Sequence, residues 1–386
     1  MRAWLLPEYI EDILPVEAQR IECLRRAILD LFRAHGYQLV MPPLLEYVES
    51  LLTGTGHDLD LQTFKLVDQL SGRMLGVRAD ITPQVARIDA HLLNRSGVTR
   101  LCYAGSVLRT LPDGMNRTRE PLQIGAEIYG HRGIESDVEI QRLMMKALTA
   151  ARVATVYLDL GHVAVFRGLV KRARIAAGLE SELFRAMQAK DVPELRSLTR
   201  RLDRGTRAAL TVLPELYGGA EVLALARRKL PPHPEIKAAL RDLKLLSDQL
   251  RDVARIRCFD LAELRGYRYH SGVVFAAYAD GWPNALALGG RYDEVGKAFG
   301  RARPATGFSA DLRELASASP NGGIEAGILA PRLPRDAALR RRIDALRTRG
   351  EIVIVELSGH ARARAELGCN RRLVKRDGKW VIRKLT

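Results

Sequence analysis

Residues 100–114 read Arg-Leu-Cys-Tyr-Ala-Gly-Ser-Val-Leu-Arg-Thr-Leu-Pro-Asp-Gly, and the chain returns over residues 121–130 as Pro-Leu-Gln-Ile-Gly-Ala-Glu-Ile-Tyr-Gly. The run from Leu101 to Leu108 is apolar and aromatic, which is typical of a buried strand. The sequence Pro112-Asp113-Gly114 is a turn signal. Because residues Leu122 to Tyr129 alternate in polarity, the stretch as a whole predicts a strand, a loop and a returning strand.

The polar residues of this hairpin allow two interpretations. Arg109 directly follows the first strand, and Gln123 and Glu127 lie on the returning strand, so the hairpin could form the floor of a binding site. An ordinary antiparallel hairpin with a solvated basic loop would look the same. These residues alone do not decide between the two.

The composition is that of a globular protein of two or three domains. The chain has 386 residues, 47% of them hydrophobic, and a mean hydropathy of −0.10. No apolar run approaches the roughly 18 residues of a membrane helix, and the early Glu11 and Asp12 argue against a signal peptide. The four cysteines are far apart and form no Cys-x-x-Cys pair. We therefore expect a cytoplasmic protein with reduced thiols and with no metal or other cofactor.

The net charge of +16 leaves the kind of partner open. Lysine and arginine release counterions from phosphates, which favours nucleic acid. However, the charge is spread along the chain, and a basic face could equally meet an acidic protein.

The N-terminal region predicts a helix followed by a short strand. Apolar residues recur at helical spacing between Val16 and His35, and Gly36 stands where a C-terminal cap belongs. Residues Tyr37 to Met41 read as a strand, which Pro42-Pro43 ends.

A second strand and helix surround two polar residues. Met74 to Val77 predicts a strand, and a helix follows through Val85, Ile88 and Leu92. Asp80 and Thr82 lie between them, where they can cap the helix. A capping residue at a helix entrance can also face a cleft, so the structural and ligand-binding interpretations are compatible.

In the middle of the chain the sequence pattern changes from mixed helix and strand to helix alone. Residues 137–152 predict a helix and residues 154–160 a strand, after which strand patterns vanish from about residue 166 to residue 255. This region predicts a helical insert, and its basic runs at Arg200-Arg201 and Arg227-Arg228-Lys229 are best explained as solvated. A strand returns at Ile256 to Asp260.

The hairpin resembles motif 2 of class II aminoacyl-tRNA synthetases, most closely that of histidyl-tRNA synthetase. The family pattern is Phe-Arg-x-Glu, a basic loop, then Gln-(Ile/Leu)-Gly-x-Glu. Here it stands as Leu108-Arg109-Thr110-Leu111 and Gln123-Ile124-Gly125-Ala126-Glu127. The N-terminal helix, strand and proline are similar to motif 1, which builds the dimer interface in that family.

Two further stretches are similar to the histidine-binding parts of the synthetase. In Arg78-Ala79-Asp80-Ile81-Thr82 the acidic residue and the threonine match residues that hold the α-amino group. Residues 264–275 resemble the histidine-specific element, in which Arg265 matches the arginine that meets the substrate carboxylate. Tyr269 and His270 occupy the two aromatic positions that line the imidazole pocket, and His270 replaces a second tyrosine.

The parts that resemble the ATP site depart from the family pattern. Leu111 stands where motif 2 has a glutamate, and residues 305–315 resemble motif 3 with Asp311 in place of a glycine. Glu314 takes the place of the arginine that binds the γ-phosphate. A carboxylate at that position repels a triphosphate.

The end of the chain is short for an anticodon-binding domain. Past residue 320 we predict a strand at 324–328, a helix at 337–347, a strand at 352–357 and a last strand at 380–383. Arginines at 362 and 364 belong to a basic run before that last strand. We expect an α+β fold: a class II synthetase-like antiparallel sheet flanked by helices over residues 1–320, with the helical insert, and a short α/β remnant domain over residues 321–386.

A retained histidine pocket with a lost ATP site resembles the family of ATP phosphoribosyltransferase regulatory subunits, which are paralogues of histidyl-tRNA synthetase. The resemblance implies a non-catalytic subunit that is required for the first step of histidine biosynthesis and for feedback inhibition by histidine. It also implies a homodimer within a hetero-oligomer with a short catalytic subunit, and no tRNA or membrane partner. The implied histidine-binding residues are Asp80, Thr82, Arg109, Gln123, Glu127, Arg265, Tyr269 and His270.

Two alternatives stay open from the sequence. One is a histidine-activating or tRNA-binding relative of the synthetase, against which Leu111, Glu314 and the short tail argue. The other is a structural dimer with a relict pocket.

Overall fold

The computed structural model describes residues 4–54, 57–115, 117–319, 326–357 and 366–385. The chain divides into two compact units, residues 1–320 and residues 321–386. No helix among the described residues is both long and apolar enough to cross a membrane.

The first part of the larger unit carries the small strands and the predicted hairpin. Its elements are α1 (Pro15–Ala34), β1 (Gln38–Leu39), β2 (Leu45–Tyr47), α2 (Val48–Leu51), α3 (His57–Gln62), β3 (Phe64–Val67), β4 (Met74–Val77), α4 (Thr82–Arg87) with a π-helical continuation (Ile88–Leu93), β5 (Thr99–Ser106), β6 (Leu122–Tyr129), α5 (Ile134–Ala150) and β7 (Val156–His162).

The second part contains the insert and the strands that complete the sheet. Its elements are α6 (Ala164–Ala173), α7 (Ala177–Gln188), α8 (Val192–Leu198), α9 (Arg204–Val212), a 3₁₀ turn (Leu213–Glu215), β8 (Tyr217–Gly218), α10 (Glu221–Lys229), α11 (Pro234–Leu250), β9 (Arg255–Asp260), β10 (Val273–Ala279), β11 (Ala287–Arg291), a second 3₁₀ turn (Val295–Phe299), β12 (Ala305–Asp311) and α12 (Leu312–Ala318).

Nine of these strands form one sheet in the order β1-β5-β6-β12-β11-β10-β7-β9-β8. The central pairings from β5 to β7 are antiparallel, whereas β1 pairs with β5, and β7 with β9, in parallel. The fold is therefore α+β with an antiparallel centre, as predicted. A separate three-stranded sheet has the order β2-β4-β3.

Helices cover the main sheet because their apolar faces match its buried strands. Phe32 of α1 packs edge-on against Phe308 of β12, with ring centroids 5.9 Å apart. Ile140 of α5 and Leu243 of α11 are fully buried in the same core cluster. Burial of this apolar surface supplies most of the stabilisation of such a unit.

The predictions for this unit are largely confirmed, with two exceptions. Helix α1 ends at Ala34, and Gly36 follows with a φ of +83°, the left-handed conformation of a glycine cap, as predicted. The strand expected over Tyr37 to Met41 is reduced to two residues. The insert is not wholly helical, since β8 pairs with β9 at the sheet edge, a contact that local sequence does not specify.

The smaller unit contains β13 (Gly327–Ala330), α13 (Ala337–Thr348), β14 (Val353–Val355), β15 (Cys369–Arg376) and β16 (Lys379–Lys384), and its strands run in the order β14-β13-β15-β16. The predicted β-α-β unit is confirmed, because β13 and β14 are parallel and α13 connects them. Strand β15 was not predicted. Residues 324, 325, 362 and 364 lie outside the described residues.

Candidate functional site

A cavity of about 350 Å³ opens on the main sheet beneath the loop that follows β9. Strands β6, β11 and β12 form its floor, and residues before α4 form one wall. All eight residues singled out in the sequence line it: Asp80, Thr82, Arg109, Gln123, Glu127, Arg265, Tyr269 and His270. The structure thus brings together residues that are up to 190 positions apart in the chain.

Glu127 forms the deepest part of the floor and is only 1% exposed. Its Oε1 accepts a hydrogen bond of 3.1 Å from the Tyr103 hydroxyl, and its Oε2 accepts one from the Tyr292 hydroxyl. Burial raises the pKa of Glu127 to about 8. A Cβ at position 307 would overlap the Glu127 carboxylate, so the neighbouring strand carries Gly307 there.

Asp80 and Gln123 form a polar pair at the entrance to α4. The Gln123 Nε2 donates to Asp80 Oδ1 at 2.8 Å, and its Oε1 accepts from the backbone N–H of Ile81 at 2.9 Å. Asp80 Oδ1 also accepts from the backbone N–H of Thr82 at 2.9 Å. The expected cap is not formed by Asp80 or Thr82, because the N-cap position of α4 is Ile81 and Thr82 is the first residue of the helix. Asp80 instead accepts from the first helical N–H and also lines the cavity.

Thr82 and Tyr103 link this pair to the floor of the cavity. The Thr82 hydroxyl lies 3.0 Å from the Tyr103 hydroxyl, which in turn donates to Glu127. The network thus runs from the start of α4 to the centre of the sheet. It holds acceptors for hydrogen-bond donors of a ligand at both ends.

Two arginines supply positive charge to the cavity. Arg109 donates from Nε to the carbonyl of Ala79 at 3.3 Å and from NH1 to Asp113 Oδ2 at 3.1 Å. The Arg265 side chain is half-exposed, with its NH2 atom 3.6 Å from Glu263 Oε2. A ligand that carries an ammonium and a carboxylate would find both acidic and basic side chains in the cavity.

An aromatic wall closes the cavity. The Tyr269 ring lies against the Tyr292 ring with centroids 4.8 Å apart and meets the His270 ring edge-on at 5.4 Å. Burial lowers the pKa of His270 to about 4, so its imidazole is neutral at pH 7. Its ring sits against Gly290, where a Cβ would approach it to 2.7 Å.

The glycine pair of β11, Gly289 and Gly290, allows tight packing under the pocket. A Cβ on Gly289 would lie 2.3 Å from the carbonyl oxygen of Gly307 and 2.5 Å from the Phe275 ring.

Sequence reasoning missed Tyr103 and Tyr292 as members of the site. Both phenols bind Glu127, and both are buried. Tyr292 belongs to the run Gly-Gly-Arg-Tyr-Asp at residues 289–293, so the sequence carries a signal for it beside the glycine pair. Tyr103 stands on the hairpin itself opposite Gly125, whose missing side chain leaves room for the phenol.

The residues that depart from the ATP-site pattern have structural partners here. Glu314 Oε2 accepts a hydrogen bond of 2.8 Å from Trp282 Nε1 and lies 3.9 Å from Arg117 Nε. Asp311 accepts from the backbone N–H groups of Leu122 at 3.1 Å and Arg313 at 3.0 Å. These carboxylates stabilise the start of α12. Within the described residues, no cluster of three or more His, Cys, Asp and Glu side chains is arranged to hold a metal ion.

Comparison with known proteins gives two family matches that together span most of the chain. Residues 9–315 match the histidyl-tRNA synthetase family, and residues 325–383 match the family described as the ATP phosphoribosyltransferase subunit HisZ C-terminal domain. Among solved structures, an ATP phosphoribosyltransferase regulatory subunit/histidyl-tRNA synthetase from Bacillus halodurans is 28% identical with a TM-score of 0.82, covering 95% of this chain and 96% of the other. A histidyl-tRNA synthetase from Nostoc, 17% identical with a TM-score of 0.78, covers 100% and 97% and shares the fold.

Curated relatives match over nearly the whole length. The ATP phosphoribosyltransferase regulatory subunit of Nitrosospira multiformis is 58% identical over 99% of this chain and 98% of its own. That of Ralstonia pickettii is 61% identical over 98% and 97%. The chain belongs to the family of ATP phosphoribosyltransferase regulatory subunits.

Proposed function

We propose that this chain is the histidine-sensing regulatory subunit of an ATP phosphoribosyltransferase and performs no catalysis of its own. The observation that carries the proposal is the cavity in which Asp80, Glu127 and Arg265 converge. Beside it lies the region that resembles the ATP site of the synthetase but lacks the motif residues of that family. The regulatory assignment is supported by the curated relatives, which are ATP phosphoribosyltransferase regulatory subunits.

The cavity offers a complementary group for each part of L-histidine. Asp80 and Gln123 accept from the ammonium, Arg265 and Arg109 hold the carboxylate, and Tyr269 packs against the ring. Glu127 meets an imidazole nitrogen at the floor. Charge-assisted hydrogen bonds of this kind are the strong ones, particularly in a buried site.

The region beside the cavity is poorly suited to activating histidine with ATP. The Leu111 side chain is 70% exposed and has no group that accepts a hydrogen bond from an adenine amino group. Glu314 places a carboxylate where the related enzymes bind a phosphate with arginine. We therefore propose that histidine acts as an effector and that the chain does not act on tRNA.

An effector needs a catalytic partner to act on. Histidine binding would favour one arrangement of a hetero-oligomer, so catalysis in the partner and histidine binding here are linked. Within that assembly we propose that this chain forms a homodimer, since its three-stranded sheet exposes apolar side chains.

The test mixes this chain with the short catalytic phosphoribosyltransferase from the same organism. Phosphoribosyl transfer to ATP is measured with and without L-histidine, and complex formation is followed by light scattering. We expect a complex, a higher rate, and inhibition by histidine that disappears in Asp80→Asn. If neither rate nor histidine sensitivity depends on this chain, and no complex forms, the proposal is wrong.

A further inference from the structure

The smaller unit carries a large share of the net positive charge. Residues 321–386 contain sixteen Lys and Arg against seven Asp and Glu, so they hold nine of the sixteen excess positive charges of the chain. Counted by unit, the charge is therefore less evenly spread than the whole sequence suggests. A unit with this excess attracts anionic partners, and salt screens the attraction.

One face of the β15–β16 hairpin, called here the basic face, carries four cations and two valines. Because side chains alternate along a strand, the antiparallel register places six residues on it: Arg372, Val374, Arg376, Lys379, Val381 and Arg383. Arg372 lies directly opposite Arg383, and Arg376 lies opposite Lys379. The four cations are exposed, and the two valines between them are partly exposed.

The cations on the opposite face of the hairpin, which α13 covers, have acidic partners. Arg371 NH2 lies 2.8 Å from Glu351 Oε2, and Lys375 Nζ lies 3.2 Å from Asp336 Oδ2. In contrast, no ion pair with any residue that the structure describes is found for the four cations of the basic face. Like charges directly opposite each other destabilise a sheet. The fold of the unit therefore gains nothing from these four side chains.

The arrangement of the basic face suits a protein better than a nucleic acid. Its valines form an apolar centre, and the two cation pairs flank that centre about 13 Å apart along the strands. An apolar centre with a charged rim is the pattern of protein interfaces. Single-stranded nucleic acids stack on exposed aromatic rings, whereas the one aromatic residue of this hairpin, Trp380, lies on the α13 side and donates to Asp336 Oδ2 at 3.3 Å.

We propose that the basic face is the docking surface for an acidic patch with an apolar centre on the catalytic partner. The inference rests on the proposed function, in which the chain works with such a partner. Opposed side chains in a sheet have their Cβ atoms about 5 Å apart, so one carboxylate of the partner can bind between Arg372 and Arg383. A second carboxylate can bind between Arg376 and Lys379. Both contacts are charge-assisted and relieve the repulsion within the pairs.

Charges at the rim of an interface act mainly on the rate of association and on its salt dependence. The first experiment therefore follows association of the full chain with the short catalytic phosphoribosyltransferase from the same organism by biolayer interferometry. We expect binding to the wild type that slows as the salt concentration rises. In Arg372→Glu/Arg376→Glu the association rate constant should fall by about tenfold or more at low salt and should depend less on salt.

The substitutions keep the hairpin intact, because each new glutamate lies opposite a cation, Arg383 or Lys379, and forms a favourable cross-strand pair. Lys379→Glu/Arg383→Glu changes the other strand of the same face and should give the same result. The matched control is Arg340→Glu/Arg341→Glu, which makes an equal change in net charge on exposed residues of α13. Its association rate constant should stay within about threefold of the wild-type value.

The outcomes separate this inference from the proposed function. If the basic-face variants and the α13 control associate at equal rates, the inference is overturned and the proposed function stands. If the wild type fails to associate with the catalytic subunit at every salt concentration, both are wrong.

A second measurement tests nucleic acid as the occupant of the basic face. Fluorescence anisotropy of a labelled single-stranded RNA is compared for Arg372→Glu/Arg376→Glu and the α13 control, and we expect equal affinities. RNA binding that is lost only in the basic-face variant, with association to the catalytic subunit retained, would assign the face to nucleic acid and overturn the inference.

Discussion

Gly307 leaves the space in the cavity that the Glu127 carboxylate occupies. A Cβ at this position would lie 1.4 Å from Glu127 Oε2, so the side chain of an alanine cannot coexist with the carboxylate. We expect Gly307→Ala to displace Glu127 and to weaken histidine binding at least a hundredfold in calorimetry. Gly178→Ala in α7 is the control, because a Cβ there meets no atom within 4 Å. Equal affinity of Gly307→Ala and wild type would contradict this placement of Glu127.

Glu127 itself should contribute strongly to ligand affinity. Removing one charge-assisted contact costs on the order of 1.5–3 kcal/mol. Glu127→Ala should therefore weaken histidine binding by about tenfold to a hundredfold. Glu182→Ala, an exposed residue of α7, is the matched control and should leave the affinity unchanged. Titration calorimetry that finds the same affinity in Glu127→Ala and the control would remove Glu127 from the site.

Leu111 and Glu314 lead to a prediction about chemistry. Leu111 offers no acceptor for the adenine amino group, and the Glu314 carboxylate would repel the phosphates. We therefore expect no histidyl-adenylate to form. Histidine-dependent exchange between ATP and pyrophosphate should stay at the level of a blank without protein. Exchange clearly above that blank would favour the histidine-activating alternative.

The residues of the cavity differ in how far sequence could predict them. Asp80, Gln123 and Glu127 stand at positions that match the motifs of the synthetase family, so the resemblance predicts them. Tyr103 could not be assigned in this way, because its role follows from standing opposite Gly125 in the sheet register. Strand register depends on contacts across the whole sheet, which no local pattern records.

At the scale of elements, the long helices and the hairpin strands were predictable, whereas the two-residue edge strand β8 and the interior strand β15 were not. Strand β6 begins and ends at the predicted residues, because its apolar alternation is complete. Strand β15 lies in a basic stretch whose residues do not alternate in polarity, although Asp377-Gly378 after it is a strong hairpin signal. Both turn residues have positive φ, +47° and +74°, as a two-residue hairpin requires. Two-residue β8 exists only through its pairing with β9.

Strand β7 ends in a buried histidine that should make folding sensitive to acid. Burial lowers the pKa of His162 to about 3, and its Nδ1 accepts a hydrogen bond of 3.2 Å from the backbone N–H of Ala164. The unfolded chain binds this proton near pH 6.5 and the folded chain does not. Stability is therefore present above pH 6.5 and is lost as the pH falls toward 3.

The size of this effect can be measured by urea unfolding. Between pH 7 and pH 5 the His162 contribution should reduce the free energy of unfolding by about 2 kcal/mol. In His162→Gln, which does not titrate, the decrease over the same range should be smaller by about that amount. Parallel pH profiles of the two proteins would show that His162 is not the residue responsible.

At the scale of the whole molecule, the three-stranded sheet exposes apolar side chains that a second copy of the chain would cover in the proposed homodimer. The sheet β2-β4-β3 and its β3–β4 turn expose Val67 by 58% and Leu70 by 98%, and Leu45, Leu66 and Met74 are exposed beside them. The strand register places Leu45 and Leu66 on one face of this sheet and Val67 and Met74 on the other. Exposed apolar side chains on such a sheet mark interaction sites on proteins. In the proposed homodimer this sheet, next to α1 and β1 in the chain, forms part of the interface.

A charge placed in that surface should separate the dimer. We expect Leu66→Asp/Val67→Asp to halve the mass measured by light scattering after size exclusion, because a buried unpaired carboxylate opposes association. Leu333→Asp, an exposed residue of the smaller unit, should leave the mass unchanged. The two variants separate loss of an interface from a general effect of added charge. If the double variant keeps the wild-type mass, the dimer forms through another surface; if the wild type itself is monomeric, the homodimer proposal is wrong.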